Sequence, residues 1–330
     1  VSGEDLATAI IRLQKAPCIQ GKHFQFYPEP RWAYECSLMA AHSQRLAVAK
    51  TYKLFIGGAF PRSESGRYLI ARTPSGAHVA NYCNASRKDL RDAIRVARAA
   101  QPSWQGASAF LRGQILYRAA EILESRRAAF LPELAAAGLD AKSAAKQVDQ
   151  AIDRLVYFAG WTDKLSAVFG SVNPVSSPHW NVTSPEPCGV VAAVCPDTPS
   201  LLGLVTLLAI PLVTGNSVIA LASEQEPLSA ISLAEVFAVS DVPPGVINIL
   251  TGSRAELAPG LASHLELNAV IDAGGDPAVS KILAGGAATN LKRVHHWHLT
   301  AADWEGDDAE NPYRLLETVE FKTAWHPSAH

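Results

Sequence analysis

The sequence predicts an α/β fold: an open parallel sheet flanked by helices, with a smaller β element set apart from it. Three observations lead there. Beyond Gly189, short near-continuous apolar runs alternate with helical stretches, and that alternation specifies right-handed crossovers between parallel strands. Ahead of it, from Ser86 to Phe158, apolar residues recur at helical spacing. Between the two lies Val172 to Ser184, rich in Ser, Pro and Val, too broken for a helix and suited to a pair of extended strands or a projecting hairpin.

Residues 1–51 read as an N-terminal arm or linker, with a short amphipathic stretch (Leu6, Ile10, Ile11, Leu13) and an aromatic, proline-bearing segment, His23 to Tyr34, of no clear period. Residues 52–171 form a helical part. It opens on YKLFIGGAF, an apolar run ending in Gly57-Gly58 as a strand and tight turn would. Ser86 to Asp89 is a capping box, the serine oxygen accepting from the third helical N–H, and Leu90, Ala93, Ile94 and Ala97 follow on one face. Three more helices are expected: Leu111 to Arg126 (Ile115, Leu116, Ala119, Ile122, Leu123), Phe130 to Ala137, and Ala141 to Phe158 (Ala145, Val148, Ile152, Val156).

Residues 172–184 are the projecting strands, and residues 185–290 the α/β part. GVVAAVC is a strand buried on both faces, Leu201 to Thr214 a helix closed by Gly215, and NSVIALA the next strand. The unit then repeats: helix Ser229 to Phe237, strand VINIL, helix Ala255 to Leu261, strand NAVIDA, helix Pro277 to Ala284. Residues 291–330 form a tail in which four acids between Asp303 and Asp308, expected as a solvated turn, separate the strand-like RVHHWHLT and ETVEFKTAW.

Bulk properties narrow the function. With 330 residues, 48% of them hydrophobic and 18% charged, the chain can bury a full core as one large domain plus an appendage. A net charge of −2 with no long Lys/Arg run makes no footprint for nucleic acid or an anionic membrane. The longest apolar run, Leu201 to Val213, is too short to span a bilayer, and no basic-then-apolar leader opens the chain. Five cysteines (Cys18, Cys36, Cys83, Cys188, Cys195) without a C-x-x-C pair suggest neither a disulfide framework nor a zinc site, which fits a reducing, cytoplasmic setting.

Several separated pieces agree in order and spacing with one family. Ile56-Gly57-Gly58 resembles its opening strand, SPEPCGVV its E-P-x-G-V segment, Thr214-Gly215-Asn216 its T-G-N, EQEPL its E-Q-T-P-L, and PPGVINILTG its P-P-G-V-x-N-x-x-x-G. On these residues, from about Tyr52 to Ala284, the chain resembles the aldehyde dehydrogenase superfamily. AIDRLVYFAGWTDKL and ETVEFKTAWHPS look most like the truncated second unit of aldehyde dehydrogenase family 16, in which a full unit is fused to a shortened one. The resemblance implies a nucleotide-binding, Rossmann-like sheet in residues 185–290, oligomerisation strands at 172–184, and a C-terminal oligomerisation tail at 291–330.

Carried over residue by residue, it also implies a degenerate site. Glu224, Gly252, Gly274 and Gly275 match cofactor-binding positions. Leu221 stands where the family's ribose-binding lysine would be. Asp197 and Thr198 follow Pro196 in place of the Trp-Asn pair, whose Asn donates to the oxyanion, and losing such a donor typically costs on the order of a hundred- to thousand-fold in rate. Asp272 to Pro277 replaces F-T-G-S, with Asp276 placed as an N-cap ahead of Pro277, satisfying N–H groups and repelling the phosphate the helix end would otherwise favour. The E-L-G-G-K general-base and G-Q-x-C nucleophile segments have no counterpart after Gly286.

No catalytic residue is therefore assigned. Cys188 and Cys195 read as small core residues beside a buried strand. Of His295, His296 and His298, strand alternation puts the last two on one face and His295 on the other, so at most two converge and no metal site is expected. The resemblance implies a non-catalytic, aldehyde-dehydrogenase-like subunit acting in assembly, at least a dimer of itself, with a full aldehyde dehydrogenase subunit as a further partner. NAD or NADP binding is expected to be weak or absent. The alternatives are an NAD(P)-binding subunit of an aldehyde dehydrogenase and an active dehydrogenase using other residues; the latter conflicts with the missing nucleophile and base.

Overall fold

The computed structural model describes residues 48–328. The expected arm, with Cys18 and Cys36, lies outside the described residues up to Ala47. The chain then forms a small sheet of β1 (Thr51–Tyr52), β2 (Tyr68–Arg72) and β3 (His78–Cys83) in the order β1-β3-β2. YKLFI is not one continuous strand. Phe55 leaves β1's direction to exchange backbone hydrogen bonds with Ile249 at 2.9 and 2.8 Å, and Gly57 and Gly58, both at positive φ, reverse the chain so that Ile56 pairs with Ala59. Sequence reading missed β2 and β3. The residues of β2 are mostly exposed, so they carry little apolar alternation.

Four helices follow, α1 (Arg87–Gly106), α2 (Ala109–Ser125), α3 (Arg127–Ala136) and α4 (Ala141–Ala159), then a short α5 (Leu165–Phe169). The capping box at Ser86 forms: the Ser86 hydroxyl accepts from Asp89 N at 3.2 Å and the Asp89 carboxylate from Ser86 N at 2.8 Å. The same carboxylate accepts from Ser63 at 2.7 Å, tying the helix to the preceding loop. The expected apolar stripes are mostly buried, including Leu90, Ala93 and Ile94 on α1 and Val148 and Ile152 on α4, but Val156, expected on the α4 stripe, is exposed.

β4 (Ser171–Asn173) and β5 (His179–Pro187) run antiparallel. Next come β6 (Val190–Val194), α6 (Ser200–Val213), β7 (Ser217–Leu221), α7 (Leu228–Phe237), β8 (Ile247–Leu250), α8 (Arg254–Ser263), β9 (Ala269–Asp272), α9 (Pro277–Asn290) and β10 (Arg293–His296). The five strands make a parallel sheet in the order β10-β9-β6-β7-β8, the Rossmann-like layer expected. β6 to β9 are buried at every position because helices cover both faces. Each residue of α6 is buried as well, which accounts for a run apolar all round the helix rather than on one stripe.

Residues 291–330 are not a single tail. Leu291 adopts a left-handed conformation (φ 59°) that turns the chain back, so that β10 joins β9 in register from Arg293↔Ala269 to His296↔Asp272 and forms one edge of the main sheet. The acidic run is not a solvated turn either; it folds into α10 (Ala301–Glu305) and α11 (Asp307–Glu310). Two anchors hold it: Trp304 is buried, and the buried Arg154 of α4 donates to Trp304 O at 2.9 Å, Glu310 Oε1 at 3.0 Å and Thr206 Oγ1 at 2.8 Å. A 3-10 turn (Pro312–Thr318) then delivers β11 (Val319–Pro327) to β5, paired antiparallel from Val319↔Pro187 to Pro327↔His179. In this way β11, β5 and β4 build a second three-stranded sheet.

Candidate functional site

The parallel sheet winds outward from β6 in both directions, so the crevice between the carboxyl ends of β6 and β9 is a topological switch point, where open α/β sheets bind their ligands. Four loops converge on it: Cys195–Thr198 after β6, Ser223–Glu224 after β7, Gly252–Arg254 after β8 and Ala273–Asp276 after β9.

Arg254, which sequence reasoning did not select, and Asp197, which it marked only as a departure from the family's Trp-Asn pair, fill the centre. The Arg254 guanidinium, on the first residue of α8, forks onto Asp197, donating from Nη1 to Oδ2 at 3.0 Å and from Nη2 to Oδ1 at 2.7 Å. It also donates to Cys195 O at 2.6 Å and Gly274 O at 3.4 Å, so one side chain stitches the end of β6 to the loop after β9. Arg254's side chain is 6% exposed. Asp197 further accepts from Ser223 Oγ at 2.8 Å and Glu224 N at 3.0 Å. Burial would raise its carboxyl, but Arg254 and these donors hold it below the usual carboxylate range.

The expected site residues are distributed around this pair. Glu224 stands at the rim, with its carboxylate hydrogen-bonded to the Arg254 backbone N–H at the start of α8. Leu221 does not line the crevice; it is 3% exposed and packed with Leu250, Val190 and Val194. Gly252 (φ 134°) serves packing, because a Cβ there would meet Asn84 Oδ1 at 2.4 Å. Gly274 lies against the end of β6, where a Cβ would come within 2.8 Å of Val194 Cγ1, and Gly275 (φ 72°) faces open space. Thr198 is exposed on the β6 turn. Asp276 caps α9, accepting from Ala278 N at 2.8 Å, with Pro277 in the first turn.

Asp272 completes a pattern. Its buried carboxylate accepts from Gly274 N at 3.2 Å, Ser280 Oγ at 2.5 Å and His296 Nδ1 at 3.1 Å. The backbone donors of Gly274, Ala278 and Arg254, those a phosphate would use, are thus each bonded to a carboxylate of the chain. Four acids, Asp197, Glu224, Asp272 and Asp276, therefore border the crevice, and Arg254 is paired with the first of them.

Among the described residues the thiols are buried, which disfavours the thiolate. Burial pushes Cys195 up to about 12 and Cys188 up to about 11, and Cys83 is buried too. His296 and His298 share a side, their rings 6.2 Å apart, while His295 approaches Glu317 at 4.0 Å. Among the described residues no group of three or more His, Cys, Asp or Glu could hold a metal ion, and no helix is long and apolar enough to cross a membrane.

Comparison with known proteins places this geometry. Residues 61–296 match the model of the aldehyde dehydrogenase family. The chain is 32% identical to retinal dehydrogenase 2 of Homo sapiens over 269 residues, covering 78% of this chain and 50% of that one. To cytosolic aldehyde dehydrogenase 1 of Elephantulus edwardii it is 30% identical over 248 residues, covering 73% and 49%. The solved NAD+ complex of an aldehyde dehydrogenase from Bacillus cereus is similar with a TM-score of 0.71 and 26% identity, over 75% of this chain and 50% of that one. The chain thus spans about half the length of the curated relatives it matches.

Proposed function

Because the chain belongs to the aldehyde dehydrogenase family, we propose that it is a non-catalytic member, a subunit or module whose role lies in assembly rather than turnover. The observation that carries this reading is the crevice, where Arg254 forks onto Asp197 and the backbone donors of Gly274, Ala278 and Arg254 are each bonded to a carboxylate of the chain. Two features support it. The buried thiols offer no accessible thiolate. Only residues 297–318 separate the sheet edge at β10 from β11, so no catalytic unit with a nucleophile segment is inserted between them.

The assembly surface in this reading is the β11-β5-β4 sheet, the proposed oligomerisation element. Phe321 and Trp325 of β11, and Trp180 of β5, are at least half exposed on it, and an unpaired apolar edge is a liability unless another chain covers it. A pair of identical chains is the minimum assembly; docking on a full-length unit, as the likeness to the shortened half of family 16 suggests, is the wider one. The free thiols suit a reducing, cytoplasmic setting.

The test is light scattering coupled to size exclusion, together with an aldehyde oxidation assay. Wild type is expected to run as a dimer or larger, and Trp325→Asp as a monomer. A monomer at every concentration for wild type refutes the assembly role, and NAD-dependent aldehyde oxidation by the purified chain refutes the non-catalytic one. A second reading, an NAD(P)-binding subunit, is favoured by Gly275, whose positive φ and open surroundings retain room for close backbone approach.

A further inference from the structure

The crevice departs from a dinucleotide site in two ways that are not equal in strength, and the structure separates them. One is charge at the rim: Glu224 and Asp276 are exposed, so water and salt screen their repulsion of a phosphate. An exposed charge near contact distance is worth only about fivefold in affinity. The other is occupancy. Arg254 lies buried across the switch point, its two terminal nitrogens closed on Asp197 and also donating to Cys195 O and Gly274 O, while its Nε is buried without a partner. Displacing one partner of such a pair costs roughly 150- to 4000-fold in equilibrium terms. Any ligand entering the crevice bears that cost first.

We propose that Arg254 is a built-in occupant of a latent dinucleotide crevice. Its side chain, rather than the rim charge or Leu221, excludes the ligand. The inference rests on the proposed non-catalytic function and deepens it, since it names the residue that keeps the crevice shut. It also explains how a crevice of this kind stays ordered by itself: the guanidinium ties together loops that a bound dinucleotide would otherwise bridge. Asp197 is the counterpart. Its carboxylate aligns the fork and, through Ser223 Oγ and Glu224 N, fixes the loop after β7.

The experiment uses the full chain with NAD and, separately, NADP up to millimolar concentration, read by thermal shift and calorimetry. Wild type should not respond. Arg254→Gly combined with Asp197→Asn removes the side chain without leaving a buried unpaired charge, and should bind at least tenfold more tightly than wild type. Asp276→Ser alone should change the response fivefold at most. Arg254→Met with Asp197→Asn, which refills the space without charge, should stay silent.

A double Gly/Asn variant with wild-type circular dichroism and no response overturns the proposal while leaving the non-catalytic reading intact. Micromolar binding by wild type overturns the proposal and favours the NAD(P)-binding reading; aldehyde oxidation by wild type fails the non-catalytic reading by a separate readout. Hydrogen exchange of wild type gives a test that needs no variant. The segments 195–199, 251–256 and 273–277 should be protected without nucleotide and unchanged by it, and rapid exchange there would overturn the proposal.

Discussion

Replacing Glu226 by glutamine should stabilise the fold at neutral pH and remove most of its pH dependence between pH 5 and pH 8. Glu226, in the loop before α7, is 5% exposed. Burial raises its carboxyl to about 7, against hydrogen bonds from Ser200 Oγ, Ser229 Oγ at 2.7 Å and Ser229 N at 3.2 Å that favour the charged form. Glu133, itself raised by burial, adds to the push.

Because the folded value lies above the ordinary 4.5, the folded chain holds this proton more tightly than the unfolded chain. The stabilisation is fully present below pH 4.5 and is lost as pH rises through 7. At 1.36 kcal/mol per unit the loss is about 1 kcal/mol by pH 5 and about 3 kcal/mol by pH 7. Glutamine stays neutral, its Oε1 can keep the Ser229 N–H, and its Nε2 can donate to the two serine oxygens after their hydroxyls rotate. Forfeiting the charge-assisted bonds offsets about a third of the gain, leaving about 2 kcal/mol at pH 8, or about 5 °C in Tm. Melting both proteins at pH 5, 6.5 and 8 checks this. A variant less stable than wild type at pH 8, or a Tm difference equal at pH 5 and pH 8, would refute the reasoning.

Three further outcomes are expected. Arg154→Ala should cost about 3 kcal/mol in urea unfolding, because it strips a buried guanidinium from Glu310, Thr206 and the Trp304 carbonyl; a loss under 1 kcal/mol would show that α10 and α11 are not anchored there. Asp276→Ala should lower stability by about 1 kcal/mol through loss of the α9 cap, also seen as faster exchange at Ala278 and Val279. Cys195 should remain unlabelled when the native protein is alkylated at pH 8 and label on unfolding, judged by peptide mass; labelling in the native state would contradict its burial.

Much of this fold was legible in the chain because its signals are local. Ser86 and Asp89 are three residues apart and form the expected cap, and Asp276 followed by Pro277 marks the start of α9. The apolar runs of β6 and β7 foretold strands covered on both faces. Where the reading failed, the missing information was non-local. β2 is mostly exposed and gives no alternation, and Phe55 leaves its strand to pair with Ile249. The acids from Asp303 to Asp308 are largely solvated as expected, but Trp304 between them is buried and its carbonyl is held by Arg154, which makes the segment two short helices rather than a turn.

The candidate site divides in the same way. Residue types at Glu224, Gly274, Gly275 and Asp276 marked the crevice from sequence, and Asp276 capping could be read from its neighbour. Leu221 was marked from sequence only as the residue at the family's lysine position; that its side chain turns into the core was decided by packing. Asp197 was marked in the sequence only as a departure from the family's Trp-Asn pair, and nothing pointed to Arg254 or to the pairing of Arg254 with Asp197. A buried arginine needs an acid, but 57 residues separate the two, and many acids lie nearer along the chain.

By itself, then, the sequence determined the α/β class, the order of strands and helices from β6 to α9, the caps at Ser86 and Asp276 and the family likeness, all of which follow from periodicity and from contacts within a few residues. Tertiary structure decided that β10 forms an edge of the main sheet, that β11 returns to β5, and that Arg254 links Asp197, the end of β6 and the loop after β9. These depend on chain segments brought together across the fold, where burial sets the strength of each charge pair and the residues' identities alone do not say which partner each will meet.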